Sequence, residues 1–343
     1  MKRIVLYSIG LLALLLNTSC ESVLFIELDE ADKLIVLNGA ISADSLVAVQ
    51  VSRTRHILDN APVLPLGGAR VKLYENGELA EELSYSDNAY FRSVAFRPSK
   101  GRSYSIEVEQ PGYASVSAAC RIPPAVAIEK IDTFSIREEN DDSYYYGPGY
   151  EDKLVFDISF NDPAGEENYY LLRVQADRSY RNWRDTTVQY IDSLLNGTDW
   201  VYFVNDSTYP IFDIYRQIGF PRIESDEIVS EGRTSEGILF SDQLIDGKNY
   251  SFRGAVRHAE ISAADSAVVS ICLHSISEDY YRYLKTRQKH YEAKENYLAV
   301  PVIVYSNVNQ GTGFFGGQSV DVYSFTTFIP EYGWGRGLPY YEK

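Results

Sequence analysis

Behind Met1-Lys2-Arg3, residues 4–16 are apolar except for Tyr7, Ser8 and Gly10. Thirteen residues of helix span about 20 Å against a hydrocarbon core of roughly 30 Å, so the pattern predicts an export signal rather than a permanent span. From residue 34 to about 124 the chain breaks into short segments, several alternating apolar and polar with period two: 34–39, 46–51, 69–74, 89–94, 103–108 and 114–119. Glu75-Asn-Gly and Pro111-Gly punctuate them as turns. About seven strands in about ninety residues predict a β-sandwich of immunoglobulin or fibronectin type.

A second β region opens after Pro123-Pro124, with strand patterns at 127–136, 154–160, 169–174 and 238–240. Between them, residues 178–236 are polar and aromatic without a clear period, which reads as an insertion or long loops. Ser277 followed by Glu278 and Asp279 gives a helix start, and Tyr280, Leu284, Arg287 and Tyr291 share one face, predicting a helix over 278–293. A strand at 300–307, a Gly-rich turn at 311–317 and a strand from Ser319 then close the chain's second part. Gly101-Arg-Ser-Tyr104-Ser-Ile106 returns as Gly247-Lys-Asn-Tyr250-Ser-Phe252. Each copy reads as a glycine turn into a strand whose tyrosine packs inward with its hydroxyl on backbone, as at a tyrosine corner. The expected architecture is mainly β: a sandwich over 34–124 and a second over 125–343, elaborated by the insertion and one C-terminal helix.

Composition narrows the function. With 48 acidic and 32 basic side chains the charge is -16, and a surface this acidic does not hold nucleic acid by neutralising phosphate. Leu16-Asn17-Thr18-Ser19-Cys20 resembles a bacterial lipobox, with Asn17 where leucine is usual. Lipidation of Cys20 after loss of residues 1–19 leaves 20–33 as anchor and linker. An ordinary signal-peptidase cut is the alternative. The mature chain, without Lys2 and Arg3, carries 30 basic against 48 acidic groups, or -18, on a body tethered to the membrane by its acyl chains.

The remaining chemistry is sparse. His56, His258, His274 and His290 have no metal-ligand spacing, and no nucleophile elbow, phosphate loop or dinucleotide fingerprint occurs. No catalytic residue, cofactor or metal is expected. Cys120 and Cys272 either pair as a disulfide in an oxidising compartment or remain buried thiols. Residues 138–152 concentrate acids with Tyr144, Tyr145, Tyr146 and Tyr150; the stretch reads as a solvated acidic loop whose rings suit a sugar or a protein surface. Trp183, Trp200 and Trp334 raise the same two readings, packing or contact with a ligand or partner. Ser45, Thr186, Ser193, Ser207 and Ser266 each follow an aspartate in a triplet similar to the O-glycosylation signal of Bacteroidetes exported proteins.

Taken in order, several segments carry a family resemblance: Cys20 with the acidic stretch 27–32, then Phe-Asn-Asp-Pro-Ala-Gly-Glu-Glu-Asn-Tyr-Tyr at 160–170 and Phe-Ser-Asp-Gln-Leu-Ile-Asp-Gly-Lys at 240–248. Tyr-Tyr-Arg-Tyr-Leu at 280–284 and Ser-Asn-Val-Asn-Gln-Gly-Thr-Gly-Phe-Phe-Gly at 306–316 complete the set. The chain resembles the Bacteroidetes-type lipoproteins grouped as domain of unknown function 4249. That resemblance implies an outer-membrane lipoprotein, commonly encoded beside SusC-like TonB-dependent receptors, with no established activity. The expected role is a non-enzymatic accessory partner of such a receptor in nutrient capture, anchored in the outer membrane and facing the cell surface. A stand-alone carbohydrate- or peptide-binding lipoprotein and a glycan-cleaving enzyme with paired carboxylates are the alternatives.

Overall fold

The computed structural model describes residues 32–55, 62–140, 149–196, 199–261, 266–295 and 298–328. Period-two alternation becomes a ladder at the first predicted segment. β1 (Ile35–Ser42) buries Ile35, Leu37 and Ile41 on one face, and β2 (Ala48–Arg53) pairs with it antiparallel. β3 (Leu64–Pro65) is a short addition to β2. β4 (Arg70–Glu75) and β5 (Glu78–Tyr85) are joined by Asn76 and Gly77, whose φ angles of 50° and 89° make the tight hairpin predicted there. β6 (Tyr90–Arg92), β7 (Ser103–Glu109) and β8 (Val116–Arg121) complete this half. Leu37, Val49 and Val51 from β1 and β2 share one core cluster with Val71, Leu73, Ile106 and Val108 from β4 and β7.

The second half holds a separate core. β9 (Ile128–Asn140) pairs with β10 (Gly149–Asn161); β11 (Tyr169–Asn196) and β12 (Asp199–Gly219) form a much longer hairpin, followed by β13 (Ser230–Thr234) and β14 (Gly237–Ser241). β15 (Asn249–Arg257) returns to β10, α1 (His258–Ile261) is a single turn, and β16 (Ser266–Ile276) lies beside β11. Phe156, Phe160 and Phe252 of the three-stranded sheet β15-β10-β9 pack with Tyr170, Phe240 and Leu273 of the larger sheet. The Tyr170 and Phe240 rings stack at 5.1 Å and Phe240 and Phe252 at 5.6 Å.

α2 (Glu278–Glu295) starts where the sequence placed it. Ser277 Oγ accepts the Gly317 N–H at 3.1 Å and the Tyr280 N–H at 3.4 Å. Its buried residues are Tyr280, Tyr281 and Leu284, whereas Tyr291 is 54% exposed. The predicted stripe therefore holds only over the first two turns.

β17 (Thr312–Phe328) departs most from expectation. The Gly-rich stretch is the first half of this strand and not a turn. It pairs parallel with β1 from Val36 opposite Thr312 to Ser42 opposite Gln318, and antiparallel with β16. One sheet of 14 strands thus runs through both halves, across the Pro123-Pro124 connection, and the described residues from Lys33 onward belong to one compact unit. The glycines are needed because neighbours crowd this strand. A Cβ on Gly313, whose φ is +113°, would stand 2.0 Å from Leu37 O; on Gly316, 2.7 Å from Tyr280 Cβ; on Gly317, 2.6 Å from Arg121 O.

Three other expectations change. Residues 300–307 form no strand: the Tyr305 N–H donates to Thr286 Oγ1 at 2.8 Å, and His290 Nδ1 lies 2.8 Å from Val302 O, so the helix's side chains take the place of a sheet neighbour. Residues 178–219 are not loops but the β11–β12 ladder, which continues to Asn196 opposite Asp199. Both residue parities there mix polar with aromatic and β-branched types, which hid the period. Cys120 and Cys272 are both free and buried, so the disulfide alternative does not form. Burial raises both thiols, Cys272 to about 11.

The repeated glycine–tyrosine motif is half realised. Gly101 and Gly247 both have positive φ, 75° and 66°. Tyr104 accepts the Ser99 N–H at 2.7 Å and donates to Glu75 at 2.7 Å, as a tyrosine corner should; Tyr250 donates to the Glu227 carboxylate at 2.6 Å instead of engaging backbone.

Gly313→Ala is expected to lower unfolding free energy by about 2–4 kcal/mol in urea melts, because it combines a strained φ with a backbone clash. Unreduced protein is expected to give no rapid thiol reaction when folded and two thiols from Cys120 and Cys272 when unfolded.

Candidate functional site

A cleft of about 610 Å³ opens between three pieces of chain. Residues 220–223, just past β12, form one wall; the β13–β14 turn at 234–237 forms the second; Gln288, Tyr291 and Glu292 of α2 form the third. The volume lies in the range of small-ligand sites.

The turn is fixed from within and below. Thr234 Oγ1 donates to Gly237 O and accepts the Glu236 N–H, both at 3.1 Å. A Cβ on Gly237 would meet Leu172 O at 2.2 Å, so only glycine allows the turn to sit this close to β11. Glu236 then anchors it: Arg287 donates to one carboxylate oxygen at 2.5 Å, while Arg173 and Tyr280 each donate to the other at 3.0 Å. Arg173 also donates to Glu236 O at 2.9 Å and lies over the Phe220 ring, 5.3 Å from its centroid. Glu231 on β13 performs the same service beside it, accepting from Tyr281 and Lys285 of α2 and from Ser241 of β14. Burial pushes the Glu231 carboxyl up, but these three donors and the Lys285 charge outweigh it and hold it below the usual range.

Phe220 and Tyr291 present rings 57% and 54% exposed. Beside them stand Arg222, Gln288, Glu292 and Ser235. The cleft offers aromatic stacking, hydrogen bonding and the charged groups of Arg222, Glu236 and Glu292.

A second cluster lies where two loops meet. Carboxylate oxygens of Asp162, Asp242 and Asp246 lie within 4.8 Å of one another, the first two residues buried. Asp162 accepts from Tyr170 OH at 2.5 Å and the Gly247 N–H at 3.0 Å, Asp242 from the Asn168 N–H at 2.7 Å, and Asp246 from the Gly165 N–H at 3.0 Å. Burial raises the Asp162 carboxyl; the Tyr170 and Gly247 donors oppose that, and the two neighbouring aspartates add to it. The oxygens are hard ligands suited to a cation, and their observed work is to fasten loop 162–168 to loop 242–247.

These loops are the same segments that carry the family resemblance, and the comparison with family models decides the matter. The model for domain of unknown function DUF4249 matches residues 21–324. The chain belongs to this family. No curated protein matches it. Among solved structures it is similar to the NetB toxin of Clostridium perfringens in the membrane-inserted form, 8% identical, with 61% of this chain and 84% of that chain covered at a TM-score of 0.13. A likeness at that score carries no argument about fold or function.

In this DUF4249 chain the residues singled out from sequence do not converge. Trp183 stands opposite Phe212 and Trp200 opposite Leu195, twelve register steps apart on one ribbon, or about 40 Å. Tyr150 stands opposite Glu139 on the β9–β10 hairpin. Thr186, Ser193 and Ser207 lie on the ribbon, Ser266 begins β16, and Ser45 is exposed in the β1–β2 turn. Cys20, Tyr144, Tyr145, Tyr146 and Trp334 lie outside the described residues. Only the two ends of the predicted acidic loop, 138–140 and 149–152, are described, and they are ladder, with Arg137 paired to Asp152 and Lys153 to Glu138; residues 141–148 lie outside the described residues. Sequence reasoning missed the cleft because Phe220, Glu236 and Tyr291 come from three distant stretches. It quoted Asp162 and Asp242 as family markers without joining them, since 80 residues separate them.

His274 on β16 is buried. Burial first, then the nearby Arg173 charge, lowers its imidazole to about 4; the Gln318 amide, which no ring nitrogen reaches in bonding geometry, and Glu236 oppose this. The fold therefore favours the neutral ring. Stability present above the unfolded value of 6.5 is lost as pH falls from there toward 4, reaching about 3 kcal/mol at most. His274→Leu is expected to lessen the fall of urea-melt stability over that window without abolishing it, because burial also lowers the His258 imidazole, and the loss on protonating Glu231, held below the usual carboxylate range, is expected to persist.

Proposed function

We propose that this DUF4249 member is a non-enzymatic lipoprotein of the outer membrane, anchored through Cys20 at the cell surface, that serves as the accessory partner of a TonB-dependent receptor in nutrient capture. One observation supports the partnership above others. β16 pairs with β11 only as far as Ser179 opposite Ser266, whereas β12 follows β11 to Asn196. Beyond Ser179 the chain is a two-stranded ribbon of 17 residues on β11, about 55 Å long, and neither outer edge is paired among the described residues. A free two-stranded ribbon is marginally stable in water, and its unpaired edges are templates for another chain. Its sequence carries Tyr180, Trp183, Tyr190, Trp200, Tyr202, Phe203, Tyr209, Phe212 and Tyr215, residue types that dominate protein interfaces. A large β partner such as a receptor barrel would satisfy both needs.

The two cores support a finer reading of the body as two immunoglobulin- or fibronectin-like sandwiches. In it, β1, β2, β4, β7 and β8 belong to the first, and the β15-β10-β9 sheet with β11, β14 and β16 to the second, with β17 shared between them. The alternative function, a stand-alone carbohydrate- or peptide-binding lipoprotein, is supported by the cleft with its exposed Phe220 and Tyr291.

Affinity isolation of the tagged native lipoprotein from mild-detergent outer membranes, followed by mass spectrometry, tests the leading reading. A stoichiometric TonB-dependent barrel is expected, and replacing 181–214 with Asn-Gly is expected to reduce its recovery at least about tenfold. An isolated lipoprotein would overturn the partnership. The alternative would then be tested on glycan and peptide arrays with Phe220→Ala and Tyr291→Ala.

A further inference from the structure

We propose that the loop between α2 and β17 is a second membrane contact, which seats the body on the same bilayer that holds the Cys20 acyl chains. This rests on the lipidation reading of Cys20 made above. Leu298, Val300 and Ile303 are 95%, 82% and 90% exposed, three large apolar side chains within six residues. Such exposure is costly in water, and the loop that carries it is held in place: His290 engages Val302 O, and Tyr305 engages Thr286 and Asp279 of α2.

The occupant follows from where the tether leaves the body. β1 and β17 are parallel, with Val36 opposite Thr312, so the chain from Cys20 enters the body at the start of both strands. That entry comprises residues 20–33, which reach at most about 45 Å when extended. α2 runs antiparallel to β17: Ser277 bonds Gly317, Tyr280 packs on Gly316, and the Tyr283 ring stacks on Phe314 at 3.8 Å. From Ser277 the helix advances about 27 Å to its end, whereas β17 covers only about 17 Å back from Gly317 to Thr312. The last two turns of α2, and Leu298 and Val300 after them, therefore overrun the strands at the end where the tether emerges. Leu34, 39% exposed, lies at that end too.

Lys33, Arg53 and Arg55 lie at the start of β1 and its β2 partner and Lys289 and Lys294 on the overrunning turns, but Glu292, Glu295 and the acids of the 27–32 stretch offset them, so the contact rests on its apolar side chains. Apolar side chains that enter the interface beside basic ones form the composition of peripheral membrane contacts, and the lipid supplies the second signal that such weak contacts need.

The test uses the full-length lipidated protein in vesicles of phosphatidylethanolamine and phosphatidylglycerol. An environment-sensitive nitrobenzoxadiazole is placed on Val300→Cys or, as control, on Leu79→Cys. Leu79 is 58% exposed and lies past the Asn76-Gly77 turn, at the opposite end of β4 from Arg70. Buried Cys120 and Cys272 leave the new thiol as the site of labelling. Both proteins are expected to float with the vesicles, with emission at residue 300 blue-shifted and at least about threefold brighter than at residue 79. Adding Leu298→Ser and Ile303→Ser to Val300→Cys is expected to return the emission to the control level without moving the thermal melt. Flotation with water-like emission at residue 300 would overturn the seating and leave the anchor standing. Loss of flotation would overturn the anchor, and the seating with it. A dye response in native outer membranes but not in lipid vesicles would overturn the lipid contact in favour of a protein partner.

Discussion

The close approach of backbones along β17 is the constraint on which the rest of the molecule depends. Gly313, Gly316 and Gly317 let this one strand lie against β1, the first turn of α2 and the end of β8 at distances that no Cβ permits. Because β17 pairs with β1 on one edge and β16 on the other, it turns two separate cores into one continuous sheet. Tyr280 and Tyr283 of α2 stack on Phe314 of β17, and Tyr280 packs on Gly316, so the space left by that missing side chain is filled from the helix.

α2 is held to the sheet as much by charge as by that stack. Glu231 on β13 and Glu236 in the β13–β14 turn accept from Lys285, Arg287 and Arg173 and from two tyrosine hydroxyls. These side chains are partly screened from water, and each is matched to several donors, which is the condition under which such pairs hold geometry rather than merely cancel desolvation. The result is a rigid frame for the cleft, whose exposed rings sit on groups that cannot easily move.

Two surfaces outside this frame underlie the proposed contacts. The β11–β12 ribbon leaves its third strand at Ser179, and the loop after α2 carries large apolar side chains into solvent. Both cost free energy in an isolated monomer, and both would be covered in the proposed setting, at a membrane beside a large β neighbour.

Much of the fold was legible in the sequence. Alternation marked β1, β2, β4, β7 and β8, Asn76-Gly77 marked its hairpin, and Ser277 marked the helix start, because each depends on neighbours a few residues away. The ordered motifs also determined the family, since order and spacing survive without coordinates. What tertiary structure alone decided were matters of distance. The glycines of β17 resemble a turn until Leu37, Tyr280 and Arg121 are seen to close on them, and the ribbon resembles loops until its two strands are set in register. The cleft of Phe220, Glu236 and Tyr291 and the corner of Asp162, Asp242 and Asp246 likewise have no local period. Sequence fixes what each residue can do with its chain neighbours, whereas these sites are made by strands and loops that meet only after the sheet has closed, and a linear pattern carries no record of that meeting.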